Sequence, residues 1–293
     1  MIPQTYEQWE QFFTDYDKEH GQSQTFLRDK LGLLKFAATE LMNREDYGGA
    51  SNFLDKAAAL ANELKDKQAL AEILTLQSQA LYVLGNIQEA LTYQRQALYL
   101  FIENKGMKSQ EVAQAYENLG LLHAAKNDFS VAINYLKQAL KLYKSLDEKE
   151  ESLAKTYDNL GIIYRQLGDT KQAEEYLLLS IRIKEKDKKN DPVGLAQVYN
   201  NLGITYLDMN KLSQARYYIT KAIEILEQAG EGAQYKLATA YRNLALIFKE
   251  QDKNIEAIKY LSKSIDLLEK VFPYGQKEIQ QSKELLKQWE KEL

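Results

Sequence analysis

The fold of this chain is decided by a pattern that is clearest in two stretches of its sequence. The first reads YDNLGIIYRQLGDTKQAEEYLLLSI (Tyr157–Ile181), and the second reads YNNLGITYLDMNKLSQARYYITKAI (Tyr199–Ile223). Both begin with Tyr, place Leu-Gly directly after the third residue, and carry an Ala-x-x-Tyr motif in their second half. Two stretches that match in this way indicate an internal repeat.

The repeat extends across most of the 293 residues. Six alanines recur at intervals of 40 to 42 residues, each with an aromatic residue three positions later and a small residue twelve positions earlier. These alanines are Ala50, Ala90, Ala132, Ala173, Ala215 and Ala257. Because a fixed period of this length is typical of stacked structural units, we predict six repeats.

Each repeat is predicted to form two antiparallel helices. Apolar or small residues recur every three or four positions in residues 153–168 and again from Thr170, as they do on one face of a helix. Between the two segments, Gly168 suits the left-handed conformation that ends a helix, and Asp169 can cap the next one. The position twelve residues before each recurring alanine, which holds Gly161 in this repeat, always carries a small residue. We expect the two helices to cross closely at this position.

The ends of the chain fit the same register. Residues 1–24 are predicted to hold an N-terminal capping helix, residues 25–270 the six repeats, and residues 274–293 a C-terminal capping helix that follows Pro273. Stacked repeats need terminal caps with a polar outer face. We therefore expect residues 1–293 to form a single domain.

The composition excludes several kinds of chemistry. The chain has no cysteine, so disulfides, thiolate metal sites and cysteine nucleophiles are impossible. Its two histidines are His20, in a polar junction, and His123, in a slot that is aromatic in other repeats, so we expect His123 to pack like an aromatic ring. We therefore expect a protein that is not an enzyme and that has no catalytic residue, no cofactor and no metal site.

The charge balance and the hydropathy restrict the class of partner. The 42 acidic and 38 basic residues are too balanced to indicate a nucleic-acid or anionic-membrane partner. No basic segment followed by an apolar stretch opens the chain, and no window approaches 18 uninterrupted apolar residues. We therefore expect a cytoplasmic protein that does not insert into membranes.

The two quoted stretches resemble tetratricopeptide repeats, with Leu-Gly and a later Tyr in the first helix and then Ala and an aromatic residue in the second. The resemblance covers roughly Phe26 to Glu269. The usual period is ~34 residues, so the longer units here are similar to those of kinesin light chains and peptide-sensing bacterial regulators. The resemblance implies an all-α, right-handed α-solenoid with a concave surface that binds protein segments.

A second stripe on the first helices is the candidate binding surface. It lies one residue beyond the core stripe and is therefore rotated from it by ~100°. Its recurring feature is an asparagine directly before the core leucine in four consecutive repeats: Asn118, Asn159, Asn201 and Asn243. The other candidate residues of this stripe are Lys155, Arg165, Gln197, Asn200 and Arg242.

Two interpretations of the four asparagines stay open. An amide carries both a donor and an acceptor, so a row of amides can pair with the backbone of an extended peptide. The resemblance implies this function, because similar asparagines line the peptide groove of the long-repeat families. Alternatively, each asparagine bonds the neighbouring repeat and fixes the stacking angle, since a buried amide needs a partner.

The sequence favours a protein–protein interaction module that binds an extended peptide in repeats three to six. The first two repeats are expected to contribute less to binding, because Phe36 and Leu76 replace the asparagine and Gln94 replaces an apolar residue. One alternative is a self-assembling scaffold, that is, a homo-oligomer. Another is a peptide-responsive signalling regulator, although the residues before the first repeat are expected to be too few for the effector domain that such regulators carry.

Overall fold

The computed structural model describes residues 2–19, 23–146, 150–186, 189–272 and 277–292. All regular structure in these residues is helical, which confirms the all-α prediction. His20 and Pro273, to which the sequence assigned a junction and a boundary, lie outside the described residues.

The chain divides into two compact units, Met1–Glu148 and Lys149–Leu293. The helices of the first unit are α1 (Tyr6–Glu19), α2 (Gln24–Asn43), α3 (Tyr47–Glu63), α4 (Lys67–Val83), α5 (Ile87–Lys105), α6 (Gln110–Ala125) and α7 (Phe129–Ser145). Those of the second unit are α8 (Glu150–Leu167), α9 (Thr170–Lys186), α10 (Pro192–Asp208), α11 (Leu212–Gln228), α12 (Gln234–Glu250), α13 (Asn254–Val271) and α14 (Lys277–Lys291). The single domain expected over residues 1–293 stays a prediction.

Six helical hairpins occur in the described part of the chain, one for each predicted repeat. The first helix of each hairpin is called the A helix (α2, α4, α6, α8, α10 and α12) and the second the B helix (α3, α5, α7, α9, α11 and α13). α1 precedes the hairpins and α14 follows them, where the sequence predicted capping helices. Each of these two helices buries a tryptophan, Trp9 in α1 and Trp289 in α14.

The junctions between A and B helices follow the predicted turn chemistry in their backbone. Gly85 and Gly168 adopt positive φ angles of 84° and 89°, and Asn127 and Asn210 adopt 63° and 55°. These left-handed residues end the A helix and turn the chain back on itself. Capping is less uniform, because Asp169 accepts a hydrogen bond from the backbone N–H of Gln172, whereas the side chains of Asn86 and Asp128 make no capping bond within the described part of the chain.

The predicted close crossing of the two helices is present within the repeats. A methyl group placed on Gly161 would lie 2.6 Å from Leu177 Cγ, and one on Gly203 would lie 2.6 Å from Ile219 Cγ1. Such distances are shorter than van der Waals contact, so only glycine allows the helices to approach this closely. Packing between the two helices therefore determines which residue can stand at these two positions.

Stacked aromatic rings fill the seam beside each crossing. Tyr164 stacks on Tyr176 with ring centroids 5.4 Å apart, and His123 stacks on Tyr135 at 5.5 Å. His123 is buried, and its Nδ1 lies 3.2 Å from a carboxylate oxygen of Asp128. The expectation that His123 packs like an aromatic ring is confirmed by this stacking.

Candidate functional site

The candidate stripe lies on the A helices, on a surface here called the A-helix face. In the second compact unit it consists of Lys155, Asp158, Asn159, Ile162 and Arg165 on α8, Gln197, Asn200, Asn201 and Ile204 on α10, and Thr239, Arg242, Asn243, Leu246 and Lys249 on α12. The side chains are exposed or partly exposed. Because α8, α10 and α12 are A helices of successive repeats, the structure brings these predicted residues together on one surface.

The asparagines of this face form hydrogen bonds between repeats. Asn201 Nδ2 donates to Asp158 Oδ1 at 2.9 Å, and Asn243 Nδ2 donates to Asn200 Oδ1 at 2.9 Å. Each bond joins residues 43 positions apart, which lie on the A helices of neighbouring repeats. This geometry supports the stacking interpretation. An amide has two N–H donors and a carbonyl acceptor, so one such bond leaves hydrogen-bonding capacity for a ligand.

The cations of the face are also paired between repeats or with the C-terminal helix. Arg165 lies 3.2 Å from Asp208 and Lys249 lies 2.6 Å from Glu292. Arg242 is 3.9 Å from Glu278, a looser ion pair. Each of these three cations therefore has an acidic partner within the protein, and an exposed pair of this kind contributes only about 0–1 kcal/mol.

Asp158 is an acidic residue of this face whose pKa is changed by its surroundings. Burial raises the pKa of its carboxyl above the usual range, although the hydrogen bond from Asn201 and the charge of Lys184 both lower it. Desolvation disfavours the charged form of a carboxylic acid, which is the direction observed. The Asn201 amide is therefore bonded to an oxygen whose negative charge is costly.

Asn118, the candidate of the first compact unit, borders a cavity of about 290 Å³ on the A-helix face. The lining residues are Lys35, Glu72, Thr75, Leu76, Gln79, Phe101, Glu111, Gln114, Ala115 and Asn118. Behind Asn118 lies the fully buried Gln94, whose Oε1 accepts from Asn118 Nδ2 at 3.5 Å. The lining thus combines apolar side chains with polar ones, as most ligand sites do.

This cavity includes residues of the first two repeats that the sequence interpretation did not assign to the site. Lys35 is bonded to Glu72, and Gln68 donates to the same carboxylate at 2.8 Å. Although burial raises the pKa of the Glu72 carboxyl, these two hydrogen bonds outweigh it and hold that pKa below the usual range. The repeat register could have identified these residues from the sequence. Glu72 and Gln79 of the second repeat occupy the positions that Gln114 and Leu121 occupy in the third.

The described residues show no metal-binding cluster, since no group of three or more His, Asp or Glu side chains among them is placed to hold an ion. Within the same residues, each helix is too short or too polar to cross a membrane.

Comparison with known proteins identifies the repeat. The sequence profile described as "Tetratricopeptide repeat" matches residues 70–145 and 194–270, more than half of the chain, and a second profile of the same description matches residues 154–187. No curated protein sequence matches the chain.

Similar solved structures show the same fold at low sequence identity. BtubC (BKLC) from P. vanneervenii is 21% identical, with a TM-score of 0.66 over 80% of this chain and 93% of that one. The apo form of RapI is 18% identical, with a TM-score of 0.68 over 90% and 99%. Aspartyl phosphate phosphatase F from Bacillus subtilis is 14% identical, with a TM-score of 0.67 over 96% and 75%.

Proposed function

Because the chain belongs to the tetratricopeptide repeat family, whose fold indicates a protein–protein interaction module, we propose that it binds an extended peptide segment of a partner protein on the A-helix face of repeats three to six. Asn118, Asn159, Asn201 and Asn243 pair with the peptide backbone. Lys155, Arg165, Gln197, Asn200 and Arg242 contact the peptide side chains. The protein acts by binding and not by catalysis.

The observation that carries this proposal is the fixed orientation of the amides. The bonds of Asn201 and Asn243 to the preceding repeat each use one amide N–H. An amide that is already held in one rotamer loses less conformational entropy when a ligand binds, so its remaining groups bind more tightly. The stacking bonds and a binding function are therefore compatible.

The cavity beside Asn118 supports the same function in the first compact unit. Leu76, Phe101 and Ala115 supply apolar lining, and Asn118 and Gln114 supply polar lining. A peptide whose backbone is held by the amides can place one side chain against these apolar residues, as polar and apolar groups are combined in most binding sites.

The test is a random dodecapeptide library displayed on phage, panned against the whole chain. We expect selected peptides to lose affinity by about 5- to 30-fold for the combined Asn159→Ala and Asn201→Ala variant, since one or two hydrogen bonds of about 1 kcal/mol each are removed. Circular dichroism should report unchanged helicity. Asn52→Ala, on the exposed surface of α3, is the matched control.

Two results would contradict the proposal. If no peptide is selected above background, the A-helix face is not a peptide site. If peptides bind the double variant as tightly as the parent while its Tm falls, the asparagines serve stacking alone.

Self-association is the second candidate function, favoured by three consecutive exposed apolar residues at the end of α4. Tyr82, Val83 and Leu84 are 48%, 53% and 47% exposed. Apolar side chains that remain in contact with water are a common feature of protein interfaces. Light scattering across a concentration series separates the two candidates, because a mass that stays monomeric excludes self-assembly.

A further inference from the structure

A second and larger cavity, of about 590 Å³, lies between α3, α4 and α5 in the first compact unit. Its walls are Asp55, Ala58 and Asn62 from α3, Leu70 and Leu74 from α4, and Tyr93, Arg95, Gln96, Tyr99 and Leu100 from α5. None of these residues belongs to the A-helix face. The cavity is therefore separate from the peptide site proposed above.

The repeat register explains why the cavity exists. Ala58, in the first repeat, occupies the slot that holds Leu98, Leu140, Ile181, Ile223 and Ile265 in the other five repeats. Leu74, in the second repeat, occupies the slot that holds Tyr116, Tyr157, Tyr199 and Tyr241 in the four later ones. At these two positions the interface between the first two repeats therefore carries an alanine in place of a larger aliphatic residue and a leucine in place of a tyrosine.

In later repeats the protein fills this place with its own tyrosine. The hydroxyl of Tyr199 on α10 donates to Glu185 on α9, and the hydroxyl of Tyr241 on α12 donates to Glu227 on α11. Each tyrosine therefore bonds an acceptor on the B helix of the preceding repeat. At the interface of repeats one and two, Asn62 stands in the slot of those two glutamates.

The polar groups of the cavity are arranged to accept a hydroxyl. The amide N–H of Asn62 donates to the carbonyl of Ala58 at 3.0 Å, which leaves Asn62 Oδ1 as an acceptor. Gln77 Nε2 donates to Asp55 Oδ1 at 3.1 Å. Burial raises the pKa of the Asp55 carboxyl, because desolvation disfavours the charged form of a carboxylic acid.

The rim of the cavity carries an aromatic residue where the other repeats do not. Tyr99 is 66% exposed, and its slot holds Lys141, Arg182, Glu224 and Asp266 in later repeats. Aromatic rings attract one another in stacked or edge-on pairs worth about 0.5–1.5 kcal/mol beyond their area. An exposed ring at the entrance thus favours an incoming aromatic group.

We propose that this cavity is a docking site for a tyrosine side chain of a partner protein. The ring lies against Leu70, Leu74 and Tyr93, and the hydroxyl donates to Asn62 Oδ1 or to the Asp55 carboxylate. The incoming tyrosine takes the place that Tyr199 and Tyr241 fill in their own repeats. This site lies outside the A-helix face and is independent of the peptide site.

The first test follows the ¹³C methyl resonances of Leu70 and Leu74 while N-acetyl-tyrosinamide is added to the whole chain. We expect saturable shifts of these methyls, and about fivefold weaker binding of N-acetyl-phenylalaninamide, the factor that one hydrogen bond of about 1 kcal/mol contributes. Equal affinity of the two probes, or shifts that never saturate, would overturn the proposal.

Two variants fill the cavity with residues that the protein uses elsewhere. Ala58→Ile and Leu74→Tyr should each abolish the saturable shift of the Leu70 methyls, the reporter that both variants retain. They should preserve or raise the Tm, because their new side chains occupy equivalent slots in other repeats. Ala59→Ile, one position along α3 and outside the cavity, is the matched control and should bind like the parent. If Ala58→Ile and Ala59→Ile bind the probe equally, the cavity is not the site.

The final arm identifies a protein source for the tyrosine. The Asn159→Ala and Asn201→Ala chain is panned against the dodecapeptide library, once alone and once with Ala58→Ile added. We expect tyrosine to be enriched at one peptide position in the first panning and lost in the second. Peptides without that enrichment would limit the cavity to small phenols and overturn the assignment to a partner protein.

Discussion

Asn201 Nδ2 lies 2.9 Å from Asp158 Oδ1, so an amide of the fifth repeat is bonded to a carboxylate of the fourth. The next repeat forms the same bond with a neutral acceptor, from Asn243 to Asn200. The comparison shows that the stacking bond requires an oxygen at this position and does not require a charge. The charge of Asp158 is consequently a cost that the bond does not need.

Asp158→Asn is therefore expected to stabilise the protein at neutral pH. The raised pKa means that the folded state binds a proton more tightly than the unfolded state, so the charged form destabilises the fold as the pH rises from below 4. We expect the Tm at pH 7 to rise by about 2–4 °C, which corresponds to about 1 kcal/mol. Calorimetry should show that this gain shrinks as the pH falls towards 4.

The control for that substitution is Asp158→Ala, which removes the acceptor as well as the charge. It should lower the Tm, because the Asn201 amide then loses its partner in the preceding repeat. A rise in Tm for both variants would show that the hydrogen bond contributes nothing.

Gln94→Leu is expected to stabilise the second repeat. Gln94 is fully buried, and its Nε2 has no hydrogen-bond partner among the described residues, whereas the same slot holds Leu136, Leu177, Ile219 and Leu261 in other repeats. An unsatisfied buried donor costs about 1–3 kcal/mol. Urea denaturation should show a gain of about 1 kcal/mol. The reverse change, Leu136→Gln, should destabilise by at least as much, and a gain from both would contradict the explanation.

Substitution of two glycines by alanine distinguishes the effect of core packing on stability from the effect of helix propensity. Gly161→Ala should destabilise by about 1–3 kcal/mol, because its methyl group would lie 2.6 Å from Leu177 Cγ and overpack the core. The new methyl group of Gly32→Ala in α2 meets no atom of the described residues within 4 Å, so this change should stabilise the protein by about 0.5–1 kcal/mol. Thermal unfolding of both variants checks the pair, and equal effects would show that the helices do not cross as closely as described.

Tyr241→Phe should weaken the interface between the last two repeats by about 1 kcal/mol, since the hydroxyl bond to Glu227 is lost. Burial, followed by the bond to Glu227, raises the pKa of the Tyr241 hydroxyl above its usual value. A folded-state pKa above that of the unfolded state gives stability that is lost as the pH rises past about 10. Denaturation between about pH 8 and 11 should therefore show a steeper loss for the parent than for the variant.

The periodicity of the sequence predicted the helices and their junctions closely, because small and aromatic residues recur wherever two helices cross. The second helix expected from Thr170 does begin at Thr170, and Gly161 does lie against Leu177. These are local features, in which residues close in sequence determine the geometry. The all-α fold followed from them directly.

The partners of the asparagines could not be predicted in the same way. The bond from Asn243 reaches Asn200, and identifying it requires the offset between the A helices of neighbouring repeats, which depends on tertiary packing. The cavity beside Ala58 could not be predicted from the sequence either. Its smaller side chain is visible in the register, but the space that remains depends on how closely α3 and α5 pack.

The spacing of the hydrogen bonds between A helices determines how further repeats could be added to such a chain. The bonded positions are 43 residues apart whereas the last two repeat intervals are 42, so each A helix bonds its neighbour with a stagger of one residue, about 1.5 Å along the helix. In both bonds the later repeat donates and the earlier one accepts. A duplicated copy of the fifth repeat, inserted directly after the original, would therefore find an acceptor in the repeat before it and a donor in the repeat after it.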